Sequence, residues 1–244
     1  MTRTEEIKIF KALYDNAKQE TEDLFSDIKT NNELCVDRAY SIVRGMLECK
    51  HSFREIHTFI RCMRETDNHT YAHSVNVGIL CNICGNWLGY SEEELMVLTV
   101  AGLLHDIGKI VTPKEILNKP GKLTAQEFDV VKLHVAKGYN LLNNLNIPDE
   151  IKMAALMHHE KQDGSGYMYG LNSEAIPKHT KIVAICDIYD AMVSVRVYKN
   201  NINPIASLES MESDLSGKIS WHYMQIFKNK LMETYIGKPS SCSA

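Results

Sequence analysis

Hydrophobic residues at helical spacing recur along most of this chain, and runs that alternate with a period of two are absent. Ser91 with Glu94, and Thr124 with Glu127, match the capping box that opens helices, because each pair satisfies backbone amides in the first turn. Further apolar faces run over residues 182–195 and 221–235. The pattern predicts an all-α fold of packed helices.

The first predicted helix, over residues 5–28, has a narrow apolar seam on an otherwise charged surface. Two interpretations stay open: a short dimeric coiled coil, or an amphipathic helix that folds back on its own domain. Two more helices are predicted around residues 33–48 and 53–65. Residues 1–65 would then form an N-terminal helical extension for dimerisation or signal transmission, and residues 66–244 the main domain. The seam consists of Ile7, Phe10, Tyr14, Ala17, Thr21, Leu24 and Ile28.

Charge and composition exclude several classes of function. The net charge is -4 and no basic run appears, so a DNA or RNA polymer is not an expected partner. The longest apolar run, over residues 96–104, is too short to span a bilayer, so no membrane association is expected. Seven irregularly spaced cysteines are typical of a reducing compartment, which predicts a cytoplasmic protein. The Cys81 and Cys84 pair is interpreted as core packing.

Several of the ten histidines lie on helical faces that should be buried. His73, His105 and His158 each stand one helical turn from an apolar residue. A single buried imidazole is usually satisfied by one hydrogen bond. Several buried together are satisfied at once by a shared metal ion, so the recurrence favours a metal centre.

Carboxylates occur in the same surroundings. Asp106 follows His105 directly, and Asp187 stands inside an apolar helix, where an unpaired charge is costly. Mid-helix placement argues against a capping role for Asp187, which we interpret as a metal ligand. Asp190, one turn further along, is interpreted as a supporting or structural residue.

Two longer motifs resemble a known family. The first reads His-Asp-Ile-Gly-Lys over residues 105–109, and the second reads His-His-Glu-Lys-Gln-Asp-Gly-Ser-Gly-Tyr-Met over residues 158–168. Together they resemble the HD-GYP subgroup of the HD-domain phosphohydrolases, over about residues 66–235. The resemblance implies a helical bundle around a binuclear or trinuclear centre, usually of iron or manganese. It also implies hydrolysis of the bacterial second messenger cyclic di-GMP to linear pGpG or on to GMP.

The resemblance also implies roles for individual residues. His69 takes the place of a glutamate that binds a third metal in some members, which leaves two or three metals open. Lys109, Arg196 and Lys199 resemble the positions that contact phosphate and substrate. The implied metal ligands are His73, His105, Asp106, His134, His158, His159 and Asp187.

The implied chemistry is two-metal hydrolysis. Asp106 would bridge two metals about 3.5–4 Å apart, and a metal-activated hydroxide would attack phosphorus. Lys109, with help from Arg196, would stabilise charge on the phosphate oxygens. Asp106 and Lys109 are therefore the expected catalytic residues.

Three departures from the family pattern bear on substrate and partners. The family's Gly-Tyr-Pro is replaced by Gly166, Tyr167 and Met168, which removes a backbone restraint from a loop where signalling partners would dock. Val195-Arg196-Val197-Tyr198 replaces Asp-Arg-Pro-Tyr, and Ser220-Trp221-His222 replaces Phe-Asp-Pro. Two alternatives to cyclic di-GMP hydrolysis therefore remain. The first is a hydrolase of cyclic GMP-AMP or another nucleotide. The second is a weakly active module that binds metal and nucleotide and signals through the N-terminal helix, which could also form a homodimer.

Overall fold

The computed structural model describes residues 3–47, 55, 69–195 and 204–236. Within these residues no β-strand occurs; Asp163 and Asn172 form one isolated bridge. The all-α prediction is confirmed. The helices, numbered in chain order, are α1 (Arg3–Asn31), α2 (Val36–Leu47), α3 (His69–Trp87), α4 (Glu92–Leu104), α5 (Lys114–Leu117), α6 (Ala125–Lys132), α7 (His134–Asn143), α8 (Asp149–Met157), α9 (Lys178–Val195), α10 (Pro204–Asp214) and α11 (Trp221–Ile236), with 3₁₀ segments at Ile107–Val111 and Ser173–Ala175.

Both predicted capping boxes are present and start α4 and α6. The helix that starts after Thr124 ends at Lys132. Leu133 separates α6 from α7, and its backbone amide bonds the Val131 carbonyl in a tighter turn. His134 therefore begins a new helix instead of continuing the old one.

The apolar seam of α1 is buried within the chain. Phe10, Tyr14 and Leu24 are almost fully buried. Tyr14 Oη donates a hydrogen bond to Asn76 Oδ1 in α3 at 2.8 Å. Of the two interpretations of this helix, the structure favours the amphipathic helix folded back on its own chain. A homodimer through α1 would have to use other residues of this helix.

The helices enclose one hydrophobic core, to which α1 and α2 contribute together with α3, α4 and α9. The division of the chain near residue 65 remains a prediction, and most of the helix predicted over 53–65 lies outside the described residues. Cys81 and Cys84 are buried in α3, which confirms their interpretation as core residues. Within the described segments, every helix is too short or too polar to cross a lipid bilayer.

Candidate metal centre

The two carboxylate oxygens of Asp106 face two different groups of histidines. Asp106 Oδ1 lies 3.2 Å from His134 Nε2 and 3.7 Å from His158 Nε2. Asp106 Oδ2 lies 3.4 Å from His105 Nε2 and 3.6 Å from His73 Nε2. A carboxylate placed in this way can contribute one oxygen to each of two neighbouring metal ions.

Each group has a further potential ligand. Asp187 Oδ1 lies 3.0 Å from His73 Nε2 and 3.7 Å from His105 Nε2, on the Oδ2 side of Asp106. On the Oδ1 side, His159 contributes a ligand atom that lies within 4.8 Å of those of Asp106 and of its histidine neighbours. Asp106 thus stands between two sets of potential metal ligands, one with imidazole and carboxylate atoms and the other with imidazole atoms.

The histidines are oriented by hydrogen bonds from their other ring nitrogen. In four of them Nδ1 contacts an acceptor, which assigns the proton to Nδ1 and leaves the Nε2 lone pair directed at the centre. The pairs are His73 with Asp190 Oδ2 at 2.8 Å, His105 with Gly102 O at 2.7 Å, His134 with Val131 O at 2.7 Å and His158 with Ala154 O at 3.0 Å. Asp190 therefore supports the site through His73.

The donor set fits divalent transition metals. His105 Nε2 and Asp106 Oδ1 are buried and have no hydrogen-bond partner, which is costly unless an ion satisfies them. Burial opposes ionisation of Asp106, but the Lys109 ammonium and His105 hold the pKa of its carboxyl well below its usual value. Burial lowers the pKa of His158 to about 4. Burial opposes the charged form of His105, but the Asp106 carboxylate raises its pKa to about 9, so a metal ion bound there would displace a proton from this imidazole. Ionised carboxylates beside neutral imidazoles are the ligand forms that such metals require.

Helix ends place several of these side chains. The α4 helix ends at Leu104, and His105 is its C-terminal cap residue. In the same way, α8 ends at Met157 and is followed by His158. Ending the helix lets the chain turn, so that His105 and Asp106 are directed at one point.

Gly108 allows the 3₁₀ segment after Asp106 to lie directly against α7. A Cβ atom at Gly108 would overlap the His134 carbonyl oxygen and lie 2.5 Å from Gly138 N. The contacting atoms are backbone atoms, which cannot rotate away. The close approach holds Asp106 and His134 next to each other.

We expect Gly108→Ala to lower the free energy of unfolding by about 3 kcal/mol and to weaken metal binding, because the 3₁₀ segment and α7 must separate. Chemical denaturation and metal analysis measure the two effects. Gly45→Ala is the control: its Cβ would meet nothing within 4 Å in α2, so helix propensity predicts a gain of about 1 kcal/mol. Equal stability of G108A and the wild type would contradict the packing argument.

Glu160 has a structural role that the sequence patterns did not predict. This residue is 5% exposed, and its carboxylate accepts hydrogen bonds from Tyr169 N at 2.6 Å and Leu171 N at 3.0 Å. It thereby holds the loop after His159 against the site. Tyr167, from the same loop, stacks on the His159 ring, with 4.7 Å between centroids and 31° between planes. A glutamate directly after paired histidines was the available signal.

Glu160→Gln is expected to lower the free energy of unfolding by about 2 kcal/mol. The glutamine side chain has an NH₂ group in place of one carboxylate oxygen, so a donor would face a backbone N–H that has lost its acceptor. Denaturant titration gives the value. Glu174→Gln, an exposed substitution in the Ser173–Ala175 segment, serves as the control with the same chemical change. If both variants were equally stable, the two amide bonds of Glu160 would not hold the loop.

The structure brings together all seven implied ligands: His73, His105, Asp106, His134, His158, His159 and Asp187. Lys109 joins them, with Nζ in contact with Asp106 Oδ2. Arg196 and Lys199 lie outside the described residues, as does the side chain of His69.

A family model described as HD domain matches residues 57–218, well over half of the chain. The chain belongs to the HD-domain family. The solved structure of Bd1817, an HDG"Y"P protein from Bdellovibrio bacteriovorus, superposes with a TM-score of 0.70 at 18% identity, over 90% of this chain and 70% of that one. At this identity the likeness concerns the fold.

Curated relatives of this HD-domain chain are cyclic dinucleotide phosphodiesterases by name. Cyclic di-GMP phosphodiesterase response regulator RpfG of Xanthomonas campestris is 37% identical over 179 residues, 70% of this chain and 47% of the relative. The 3'3'-cGAMP-specific phosphodiesterase 2 of Vibrio cholerae is 31% identical over 191 residues, 77% of this chain and 37% of the relative. The chain thus spans less than half the length of either relative. The predicted membership of the HD-domain phosphohydrolases is confirmed at the level of the HD-domain family.

Proposed function

We propose that this chain is a metal-dependent phosphodiesterase that hydrolyses cyclic di-GMP to linear pGpG, to GMP, or to both. The observation that carries the proposal is the position of Asp106, whose oxygens face separate sets of ligand atoms. Phosphodiester hydrolysis by two metals requires both ions near one phosphate, and a bridging carboxylate would hold them there.

The proposed ligand sets follow the two sides of Asp106. His73, His105 and Asp187 would hold one metal with Oδ2, and His134, His158 and His159 would hold the other with Oδ1. When bound, the metals supply positive charge and a water molecule acidic enough to lose its proton near neutral pH. The imidazole-rich set favours iron, manganese or zinc over magnesium and calcium, and the family resemblance favours iron or manganese. His69 leaves a third metal open.

The chain's own residues bind and orient the phosphate. Lys109 Nζ reaches the centre, and its side chain is 26% exposed, so the ammonium can turn from Asp106 to a phosphate oxygen. Burial of Asp106 and its histidines keeps bulk water out and strengthens these electrostatic interactions. Arg196 and Lys199 are proposed as further substrate contacts.

Cyclic GMP-AMP is the second candidate substrate, because a relative that covers 77% of this chain is named for it. Cyclic di-GMP comes first, since the relative named for it is 37% identical against 31%. The two dinucleotides share one guanine and differ in the other base. The metal centre alone therefore does not separate them.

Two measurements test the proposal. Protein purified with and without oxygen should contain at least two transition-metal ions per chain; one ion or none would exclude the binuclear centre. Incubation with cyclic di-GMP, cyclic GMP-AMP and cyclic di-AMP should give a linear product, with the highest kcat/KM for cyclic di-GMP. Turnover of cyclic GMP-AMP alone would transfer the assignment to the second substrate.

We also propose protein partners and a cellular location for this chain. The loop with Gly166, Tyr167 and Met168 is proposed as a contact for signalling proteins, since Met168 and Tyr169 are exposed. A homodimer through the outer face of α1 is proposed, with Ile9, which is exposed on this helix, as a contact residue. A reducing, cytoplasmic location is proposed from the free cysteines Cys35, Cys81, Cys84 and Cys186.

A further inference from the structure

A cavity of about 200 Å³ lies beside the metal centre, between α1, the start of α3 and the segment from Lys109 to α5. We call it the base pocket. Its volume is below the roughly 300–1,000 Å³ of sites that enclose a whole drug-sized ligand. It can therefore receive one part of a cyclic dinucleotide and not the whole molecule. The lining residues that matter here are Glu22, Tyr71, Lys109, Ile110, Leu117 and Asn118.

Lys109 connects the base pocket to the metal centre. Its side chain lines the pocket, while its Nζ contacts Asp106 Oδ2. Tyr71 lies two residues before His73 on α3. A dinucleotide whose phosphate contacts Lys109 would therefore have the adjoining nucleoside within reach of the pocket.

The walls of the base pocket suit a flat aromatic ring. Tyr71, Ile110 and Leu117 supply apolar surface on three elements. The Tyr71 ring is itself held edge-on against Phe25 of α1, with ring centroids 5.7 Å apart. A purine ring that binds in the pocket would leave water and pack against these side chains.

Glu22 is the one carboxylate among the described residues that line the base pocket, which also include the ammonium groups of Lys109 and Lys114. Among the residues that the structure describes, no hydrogen bond or ion pair engages its carboxylate. Its carboxylate lines the same cavity as the Tyr71 ring, so a base packed against that ring would lie near it. Asn118, on the same pocket, adds an amide that can donate a hydrogen bond.

The two purines present different edges to a carboxylate. Guanine has two adjacent donors, N1–H and the N2 amino group, which match both carboxylate oxygens. Adenine has an acceptor at N1 beside its amino group, so a carboxylate would face a lone pair and repel it. A carboxylate on this pocket therefore selects guanine.

We propose that the base pocket binds one guanine of the substrate, with Glu22 of the N-terminal helix accepting hydrogen bonds from N1–H and N2–H. This inference rests on the proposed cyclic dinucleotide phosphodiesterase activity and deepens it. It makes α1 part of the substrate site and Glu22 a determinant of specificity.

The test compares the full-length wild type, Glu22→Gln and Asp23→Asn. Asp23 is exposed on the same helix and loses the same charge when substituted. We expect E22Q to lower kcat/KM for cyclic di-GMP about 10- to 100-fold, because its amide turns a donor toward guanine. The loss on bis(p-nitrophenyl) phosphate, which has no purine, should be at least tenfold smaller, and D23N should match the wild type.

Binding of mononucleotides gives a second readout that does not depend on turnover. Calorimetry should show that the wild type prefers GMP to AMP, and that E22Q reduces this preference about tenfold or reverses it, since glutamine can pair with adenine. D23N should keep the wild-type preference. Circular dichroism confirms that E22Q is folded.

Each outcome decides the inference. Equal losses by E22Q on both phosphodiesters, or no loss on either, overturn it. If the wild type cleaves bis(p-nitrophenyl) phosphate but no cyclic dinucleotide, the proposed substrate is overturned. The preference for GMP over AMP then decides, independently of that substrate, whether the base pocket binds guanine. Equal affinity of the wild type for GMP and AMP overturns the guanine assignment even if cyclic di-GMP is hydrolysed.

Discussion

Asp106→Asn is expected to retain at most one metal ion per chain and to lose at least about 10³-fold in kcat for cyclic di-GMP. The amide has one acceptor oxygen and no charge, so it cannot bridge two ions. Its NH₂ group would also direct a donor toward either the His134 and His158 side or the His73 and His105 side. Metal analysis and steady-state kinetics measure both effects.

The matched control is Asp129→Asn. Asp129 is 67% exposed and pairs with Lys132 on the surface of α6, where an ion pair contributes little. Its metal content and kcat should equal those of the wild type. A D106N protein that is folded, keeps two metals and turns over at the wild-type rate would refute the bridging role of Asp106.

Lys109→Met is expected to lower kcat about 10²- to 10³-fold while both metals stay bound. Methionine keeps much of the side-chain volume and removes the charge that stabilises the phosphate oxygens. Metal affinity should not fall, because the Lys109 ammonium repels the metal ions that share its carboxylate. A loss of activity without a loss of bound metal would distinguish Lys109 from a metal ligand.

Lys122→Met is the control for this variant, since Lys122 is exposed and lies before α6. Inductively coupled plasma analysis gives the metal content, and kcat is measured at saturating substrate. Loss of one metal in K109M would assign Lys109 a structural role at Asp106 in place of the phosphate contact. Full activity would remove it from the mechanism.

Much of this site was predictable from local patterns. His105 and Asp106 are adjacent in sequence, and His158 and His159 likewise, so each pair reaches the site together once its helix ends there. Mid-helix burial of Asp187 also points to a ligand, because an apolar helix seldom keeps an unpaired carboxylate. The role of Glu160 could not be predicted from such a local pattern. Its carboxylate accepts hydrogen bonds from backbone amides of a loop, and the sequence does not reveal the path of that loop.

The sequence by itself determined the all-α class and the helix starts at Ser91 and Thr124, and its motifs, through their resemblance to a known family, implied the set of residues that the structure brings together. These depend on hydrophobic period, on capping and on motifs, which are local properties. Only the tertiary structure decided that the α1 seam packs on its own chain, that Asp106 turns its two oxygens to different histidines, and that Glu22 reaches the pocket beside Lys109. The physical reason is that these contacts join residues far apart in the chain, and only the packing of the shared core sets the distances between them.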